Sequence, residues 1–324
     1  MEVSMKYLVK PKTSSIPNIL KAFFATCKNY YREAESYQKF AYLAGLILIV
    51  GGLLHVIPLA FDGFQWSGAV SFRKPIAFGL ALGLNAWSLA WVMTYLPKRK
   101  KTSWFWLGVY LLAAYLEFIP ITIQVWRGEA SHFNHGDPLS AALWSIMGLV
   151  IVGLVFAVFF ITIWSFTSLK APSNYGWAIK IGMLILAVGQ GFGQWIISNA
   201  GDILGAEGVA VLPAGVSFED ASTYGLAGNM KLIHFLSLHA IQFLPVLAIL
   251  TQYTDWNEAK KRDILLLAAA GYIGLMIVVF DQVFNGRALF DLNIFSAIGL
   301  FGTFALMLVT YLITYVGMLK KFGT

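Results

Sequence analysis

Charged side chains are scarce in this chain of 324 residues. Asp, Glu, Lys and Arg make up only 12% of it, whereas apolar residues make up 58%. Average soluble proteins carry about a quarter charged residues. A composition so poor in charge excludes an ordinary water-soluble domain and indicates a membrane protein. The lipid bilayer is therefore a predicted partner.

Cysteine is almost absent as well. The single Cys27 excludes an intramolecular disulfide, and it excludes a cysteine-ligated zinc or iron–sulfur site. Any metal ion would have to be held by histidine and carboxylate side chains. Cofactors therefore stay open at this point, with haem or a transition metal as the possibilities.

Several catalytic motifs are missing. The chain has no GxxxxGK[ST] phosphate loop, no HExxH zinc helix, no GxSxG nucleophile turn and no DDxxD carboxylate run. These absences argue against the enzyme classes that depend on those motifs. The alternating polar and apolar pattern of a transmembrane barrel is absent too.

Long apolar runs are what the sequence does contain. A helix needs roughly 20 mostly apolar residues to cross the hydrocarbon core, because its backbone must satisfy its own hydrogen bonds there. The fold class predicted is an all-α integral membrane protein with eight transmembrane helices. The predicted helices are Ala41 to Ala60, Ile76 to Leu96, Trp104 to Val125, Ala141 to Trp164, Trp177 to Ile197, Leu232 to Leu250, Ile264 to Val283 and Ile294 to Met318.

The Lys and Arg residues are unevenly placed along this topology. Eighteen of the 23 fall on one side of the predicted membrane. Cytoplasmic loops collect such residues, which predicts a plasma (inner) membrane protein with both termini in the cytoplasm. Because topology accounts for the net charge of +7, no nucleic-acid partner is expected. The five cations on the outer side are Arg73, Lys74, Arg127, Lys231 and Arg287.

Residues 1–40 are predicted to be a cytoplasmic tail with an interfacial helix. They lack the compact apolar core and the small-residue cleavage site of a signal peptide. Apolar residues recur instead at three- and four-residue spacing, with Lys21, Lys28 and Arg32 on other faces, which indicates a helix lying along the leaflet. The apolar residues are Ile16, Ile19, Leu20, Phe23, Phe24, Cys27, Tyr30 and Tyr31.

The chain resembles itself at a nearly constant offset. RKPIAFGLALG begins helix two and MKLIHFLSLHA begins helix six, while QVWRG ends helix three and QVFNG ends helix seven. AGLILIVGG of helix one and IGMLILAVG of helix five match at the shorter offset of 137 residues, because the connection between helices five and six is longer. We therefore predict two tandem four-helix units, residues 41–167 and 168–324, related by a pseudo-two-fold axis along the membrane normal. The long outer loop from Asn199 to Gly228 could cover the cleft between the units.

Polar groups within the spans collect in the outer half, and ionisable groups there are functional candidates because lipid makes them costly. All five histidines lie on that side. The candidate catalytic residues are Glu117, Arg127, His132 and Asp281. The candidate ligand-binding residues are Arg73, Lys74, Gln124, Asn134, Gln190, Gln194, Gln282 and Arg287. The candidate metal ligands are His55, His132, His135, His234 and His239.

Helical spacing predicts which of these groups turn inward. Glu117 shares a face with Gln124, Gln190 lies on one stripe with Gln194 and Ser198, and Asp281 lies above Asn285. Two alternatives stay open. The glutamines would serve as hydrogen-bonding groups between helices, and Glu117 and Asp281 would form buried ion pairs with Arg127, Arg287 or Lys74.

Three functions fit these features. The leading one is a membrane-embedded enzyme or redox protein that binds haem, a metal, or an anionic amphiphile such as a quinone or lipid. The second is a small-molecule or ion-coupled transporter, against which the nearly apolar inner half argues. The third is an anchoring subunit of a larger complex. The oligomeric state stays open.

Overall fold

The computed structural model describes residues 6–13, 15–204 and 222–322. Residues 205–221, most of the predicted loop over the cleft, lie outside this part of the chain. The helices are α1 (Ile16–Arg32), α2 (Ser36–Leu54), the short α3 (Val56–Phe61), α4 (Arg73–Val92), α5 (Lys100–Trp126), α6 (Pro138–Ser168), α7 (Ser173–Leu204), α8 (Met230–Thr251), α9 (Glu258–Phe284) and α10 (Ile294–Phe322).

Eight helical spans in the described residues are long and apolar enough to cross a membrane. They are α2 with its continuation α3, and then α4 to α10, and they match the eight predicted segments. The predicted all-α membrane fold is therefore confirmed. Its minor additions are a 3₁₀ turn at Met93–Tyr95 and an antiparallel pair of two-residue strands, β1 (Thr223–Tyr224) and β2 (Gly228–Asn229).

Polar caps set where several of these helices begin. The Asp137 carboxylate accepts hydrogen bonds from the backbone N–H groups of Leu139 and Ser140 at the start of α6. Asn229 and Asn257 cap α8 and α9 in the same way. Such caps satisfy N–H groups that have no partner within the helix. The loops next to them are thereby held at defined positions relative to the spans.

Glycines allow α2 and α4 to approach very closely. A Cβ atom on Gly79 would lie 2.5 Å from the carbonyl oxygen of Leu48, and one on Gly83 would lie 2.5 Å from that of Gly45. In the second half, the glycines that match Gly45 and Gly52 of α2 lie on α7, where Gly182 meets Ile241 and Gly189 meets Ser237 of α8. Helix backbones approach this closely in membranes only through small residues.

Helix ends repeat between the two halves. Helices α5 and α9 are separated by the same offset at their first and last residues. Each helix closes on a glycine of positive φ, 72° at Gly128 and 64° at Gly286. The Glu129 N–H donates to the Gln124 carbonyl over 2.9 Å, and the Arg287 N–H donates to that of Gln282 over 2.8 Å. The QVWRG and QVFNG segments therefore form the same cap, which supports the predicted repeat.

A second pair of matching hydrogen bonds lies at the other end of the spans. Gln38 of α2 donates to the Ala90 carbonyl and to Thr94. Asn174 of α7 donates to the Ala248 carbonyl and to Thr251. The two sets of acceptors are related by nearly the same offset as the helix ends. The assignment of 41–167 and 168–324 as separate units stays a prediction that these contacts favour.

Helix α1 lies across one end of the bundle and contacts both halves. Thr26 lies 3.1 Å from the Tyr253 hydroxyl, which follows α8, and the Tyr30 and Tyr95 hydroxyls are 2.6 Å apart. The apolar face predicted to lie on the leaflet is therefore divided. Ile19 and Tyr30 pack on the protein, and only part of the face stays exposed, namely Ile16, Leu20, Phe24, Cys27 and Tyr31.

Candidate functional site

The interface between the halves brings together side chains at matching repeat positions. We call the bundle end that carries α1 the α1 end, and the end that carries the loop 127–137 the His132 end. Helix α4 of the first half contacts α8 of the second. Near the middle of both helices, the Gln242 amide lies 3.3 Å from Asn85 Oδ1 and 2.9 Å from Ser88 Oγ. Asn85 and Gln242 are 157 residues apart, which is the offset of the repeat.

His239 adjoins this polar cluster. Its Nδ1 atom lies 3.1 Å from the Gln242 side-chain amide, and its ring packs on Phe235 at 4.4 Å between centroids. The Nε2 atom is buried and has no hydrogen-bond partner among the described residues. A buried polar atom without a partner is costly, which makes this atom a candidate contact for a ligand.

Two lysines at matching repeat positions occupy the His132 end of the same interface. The Lys74 ammonium lies 3.5 Å from the Ser131 hydroxyl, which lies 2.9 Å from His132 Nδ1. Burial, helped by the charges of Lys74 and Lys231, lowers the pKa of His132 to about 3. Both lysines therefore act on one neutral imidazole. The structure thus brings together two candidates, Lys74 and His132, and places Lys231, one of the five outer cations, near enough to influence the same imidazole.

Aromatic rings line the stretch between the lysines and the amides. The His132 ring lies 5.7 Å from that of Phe78 and 5.5 Å from that of Trp144. Phe78 of α4 and Phe235 of α8 again occupy matching repeat positions, and Phe235 is 54% exposed. The interface therefore runs from two cations, past aromatic rings, to an amide and imidazole cluster near the middle of α4 and α8.

The low pKa of His132 predicts a loop that opens in acid. An unfolded loop takes up the proton near the ordinary pKa of about 6.5, whereas the folded loop takes it up only near 3. The stability of the loop should be complete above the ordinary pKa and should fall as pH decreases toward 3. Hydrogen exchange of residues 127–137 at neutral and acidic pH measures this. His132→Gln should remove the difference, and an unchanged pH response in that variant would contradict the assignment.

Arg127 and its neighbours form a closed network in the same loop. Arg127 donates to the Gln124 side-chain oxygen over 2.5 Å and pairs with Asp137 over 3.2 Å. Gln124 also donates to the Ala130 carbonyl and to Ser140. Hydrogen bonds that Ser140 donates to the Asp137 carboxylate lower its pKa to about 2, helped by Arg127. These contacts hold the loop in place and do not present Arg127 to a ligand.

The remaining outer candidates also serve local structure. Arg287 pairs with Asp291 over 3.2 Å, and Arg73 donates to the Trp66 carbonyl over 2.7 Å. Gln282 donates to the Asp291 carbonyl over 3.0 Å, and Asn134 donates to that of Ala130 over 3.0 Å. None of these contacts joins the α4–α8 interface.

Two of the predicted inward stripes are wrong. Asp281 and Asn285 are both exposed at the end of α9 and bond to each other over 3.0 Å. Gln190 is buried and donates to the carbonyl four residues earlier, but Gln194 and Ser198 are exposed. Exposure removes the physical reason for treating Asp281 as a buried acid. Glu117 is buried, as expected, and none of the described residues pairs with it.

The histidines do not gather into one site. Both ring nitrogens of His55 are engaged, since Nδ1 lies 2.7 Å from the Gly51 carbonyl and Nε2 accepts from Trp126 over 3.1 Å. His234 Nδ1 lies 2.9 Å from the Gly189 carbonyl, and His135 is half-buried. Within the described ranges, no three His, Cys, Asp or Glu side chains are grouped to hold a metal ion. The predicted histidine cluster is not supported.

Sequence reasoning did not single out Asn85, Ser88 or Ser131. An Asn or Ser within an apolar helix is often tied to a carbonyl of its own helix, as both Asn85 and Ser88 partly are. The available signal was the repeat, because its offset pairs Asn85 with Gln242. At the α1 end, the buried Lys261 was also missed, and it donates to Gln252 and Glu258.

Comparison with family models, with curated proteins and with solved structures gave no match to this chain.

Proposed function

We propose that the protein binds an anionic amphiphile at the interface between its two halves. The observation that carries the proposal is the position of Lys74 and Lys231. Lys74 contacts Ser131 beside His132 at one end of the α4–α8 interface, and the charges of both lysines help to lower the pKa of His132. The middle of the interface holds the Gln242 amide and the His239 Nε2 atom, which has no hydrogen-bond partner among the described residues. The site thus has a charged end and a largely apolar length.

The charged end favours a head group that bears negative charge. Two ammonium groups supply Coulomb attraction, while the Ser131 hydroxyl and the neutral His132 imidazole add hydrogen-bonding groups. Hydrogen bonds between an ammonium and an anionic oxygen are among the strong ones in proteins. The low dielectric of the membrane strengthens such attraction.

The rest of the interface favours an apolar chain or ring with one polar atom. Phe78, Trp144 and Phe235 offer apolar and aromatic surface beside the lysines. Farther in, the His239 Nε2 atom is placed to meet a carbonyl or hydroxyl oxygen of the ligand. Pockets for small ligands commonly combine apolar walls with a few convergent polar groups. A quinone with an acidic head and an anionic lipid share this chemistry.

Of the ligands that the sequence left open, the proposal retains the anionic amphiphile. The predicted orientation of the protein in the membrane is unchanged. By the distribution of cations, the His132 end faces the outside of a plasma (inner) membrane and the α1 end faces the cytoplasm. The ligand would then enter from the outer leaflet. A metal version gains no support, since no three His, Cys, Asp or Glu side chains of the described residues are grouped to hold a metal ion, and the histidines do not gather around one place where a haem would sit.

Replacing both lysines should weaken binding of an anionic lipid. Each lysine near a membrane surface contributes about 1 kcal/mol toward an anionic head group, so Lys74→Gln with Lys231→Gln should weaken binding roughly 25-fold. Native mass spectrometry of the purified protein with phosphatidylglycerol, and with phosphatidylcholine as the neutral probe, measures this.

The matched control is Lys170→Gln with Lys180→Gln, which removes two cations toward the α1 end. It should leave phosphatidylglycerol binding unchanged. Equal weakening by both double variants would show a nonspecific attraction to charge and refute the site. Binding of a neutral quinone that survives the loss of Lys74 and Lys231 but fails in His239→Ala would contradict the anionic head group.

A further inference from the structure

A second polar group lies inside the first half and is independent of the α4–α8 interface. Glu117 of α5 is 6% exposed. In the part of the chain that the structure describes, no side chain or backbone group donates a hydrogen bond to its carboxyl group and no cation pairs with it. A carboxyl group in this state needs an explanation, because ionisable groups within a membrane are costly and usually have a partner.

The cations that the sequence offered as partners are held elsewhere. Arg127 pairs with Asp137, Arg287 pairs with Asp291, and Lys74 contacts Ser131. None of these contacts involves Glu117. The alternative of a buried ion pair is therefore wrong for this residue.

The repeat shows that packing does not require a carboxyl group at this position. Helices α5 and α9 have the same length and the same closing turn, and the offset between them places Leu275 opposite Glu117. Leu275 packs against the hydrophobic core of the second half. At this position of the repeat, Leu275 satisfies the packing of the second half. Glu117 occupies the same position in the first half, although packing does not require its carboxyl group.

The surroundings also decide which cation Glu117 can hold. A calcium ion takes six to eight oxygen ligands, and magnesium needs nearly octahedral oxygens. Within α5, the carbonyl of Leu116 lacks its usual helical donor, because Pro120 has no N–H group. One carboxyl group and one such carbonyl supply too few oxygens for either metal ion, and the described residues contain no group of three His, Cys, Asp or Glu side chains that could hold one. This position therefore suits a proton.

We infer that Glu117 is a proton-binding site, a carboxylic acid that stays neutral at neutral pH inside the first half. An unpaired carboxylate within a membrane helix is strongly unfavourable, and taking up a proton removes that charge. The acid releases its proton when water or a cation reaches it, leaving the carboxylate behind. This inference does not depend on the proposed amphiphile site.

A lipid-soluble carbodiimide tests the inference in the intact protein. The reagent adds a neutral carboxylic acid across its carbon–nitrogen double bond: the carboxyl oxygen bonds to the central carbon, the acid proton moves to nitrogen, and no group leaves. About one exposed carboxyl group in a thousand is protonated at neutral pH. After reaction of the protein in liposomes, peptide mass spectrometry should find Glu117 labelled about a thousandfold more than loop carboxylates.

Three variants sharpen the test. Glu117→Gln should lose the adduct, and Asp62→Asn, which removes a loop carboxylate, should keep it. Leu275→Glu adds a carboxyl group at the matching position of the second half, and that residue should be labelled in addition to Glu117. If that variant does not fold, the wild-type protein alone decides.

Infrared spectroscopy provides the independent measurement. The spectrum of the wild type minus that of Glu117→Gln should show the carbonyl band of a neutral carboxylic acid. No adduct on Glu117 together with no acid band would show that the group is ionised and paired, and would overturn the inference. Loss of amphiphile binding in the lysine variants would leave both readouts unchanged.

Discussion

Gly79→Ala is expected to destabilise the protein by about 3 kcal/mol, the upper part of the usual cost of overpacking. The added Cβ atom would lie 2.5 Å from the Leu48 carbonyl oxygen and 2.7 Å from the Cα atom of Gly52. Both are backbone atoms, so relief requires α2 and α4 to move apart. Loss of helical circular dichroism on titration with denaturing detergent measures the effect.

The shift should also reach the candidate site. Gly79 lies on α4 between Lys74 and Asn85, so a displaced α4 changes the distance between these groups and their counterparts on α8. Weaker binding of phosphatidylglycerol should accompany the loss of stability. Gly108→Ala is the matched control, because nothing lies within 4 Å of its added Cβ atom. That variant should be unchanged or more stable by about 0.5 to 1 kcal/mol, and equal losses in both variants would contradict the close approach of α2 and α4.

Gln124→Leu is expected to cost about 2 to 3 kcal/mol, because it leaves buried polar groups without partners. The Gln124 side chain is fully buried, donates to the Ala130 carbonyl over 3.1 Å and to Ser140 over 2.9 Å, and accepts from Arg127. A leucine of similar volume keeps the packing but supplies none of these bonds. Thermal unfolding and hydrogen exchange of the loop 127–137 should both report the loss.

The repeat supplies the matched control, Gln282→Leu. Gln282 occupies the same turn of α9, but two of its three contacts are 3.4 and 3.5 Å long and its side-chain oxygen has no partner within the described residues. Its loss should cost about 1 kcal/mol, near the net worth of a single hydrogen bond. A greater loss for Gln282→Leu than for Gln124→Leu would contradict the assigned network.

Some features of the site could be foreseen from residue spacing alone. The Lys74 and Lys231 match follows from RKPIAFGLALG and MKLIHFLSLHA, and the shared turn at Gln124 and Gln282 follows from QVWRG and QVFNG. These segments match at polar positions, and such matches are informative because matches among apolar residues are common in any membrane protein. The offset alone also pairs Asn85 with Gln242, but a single asparagine in an apolar helix gave no reason to inspect it.

Other features required the packing of helices against one another. Asp281 and Glu117 are both acidic residues in apolar helices, yet Asp281 is exposed and Glu117 is buried. Helical period predicts which residues share a face, but it does not say whether that face meets protein or lipid, since apolar side chains cover both. The same limit explains why the apolar face of α1 proved to be divided between protein contacts and exposed residues.

The sequence by itself determined the eight spans and the doubled pattern of polar residues. It could do so because a backbone in hydrocarbon must satisfy its own hydrogen bonds, which leaves a long apolar run no alternative to a helix. Tertiary structure alone decided that Lys74 reaches Ser131 beside His132, that Gln242 reaches Asn85 and Ser88, and that Glu117 lacks a partner within the described part of the chain. Those outcomes depend on how helices that are distant in sequence pack against one another, and the helical period does not specify that packing.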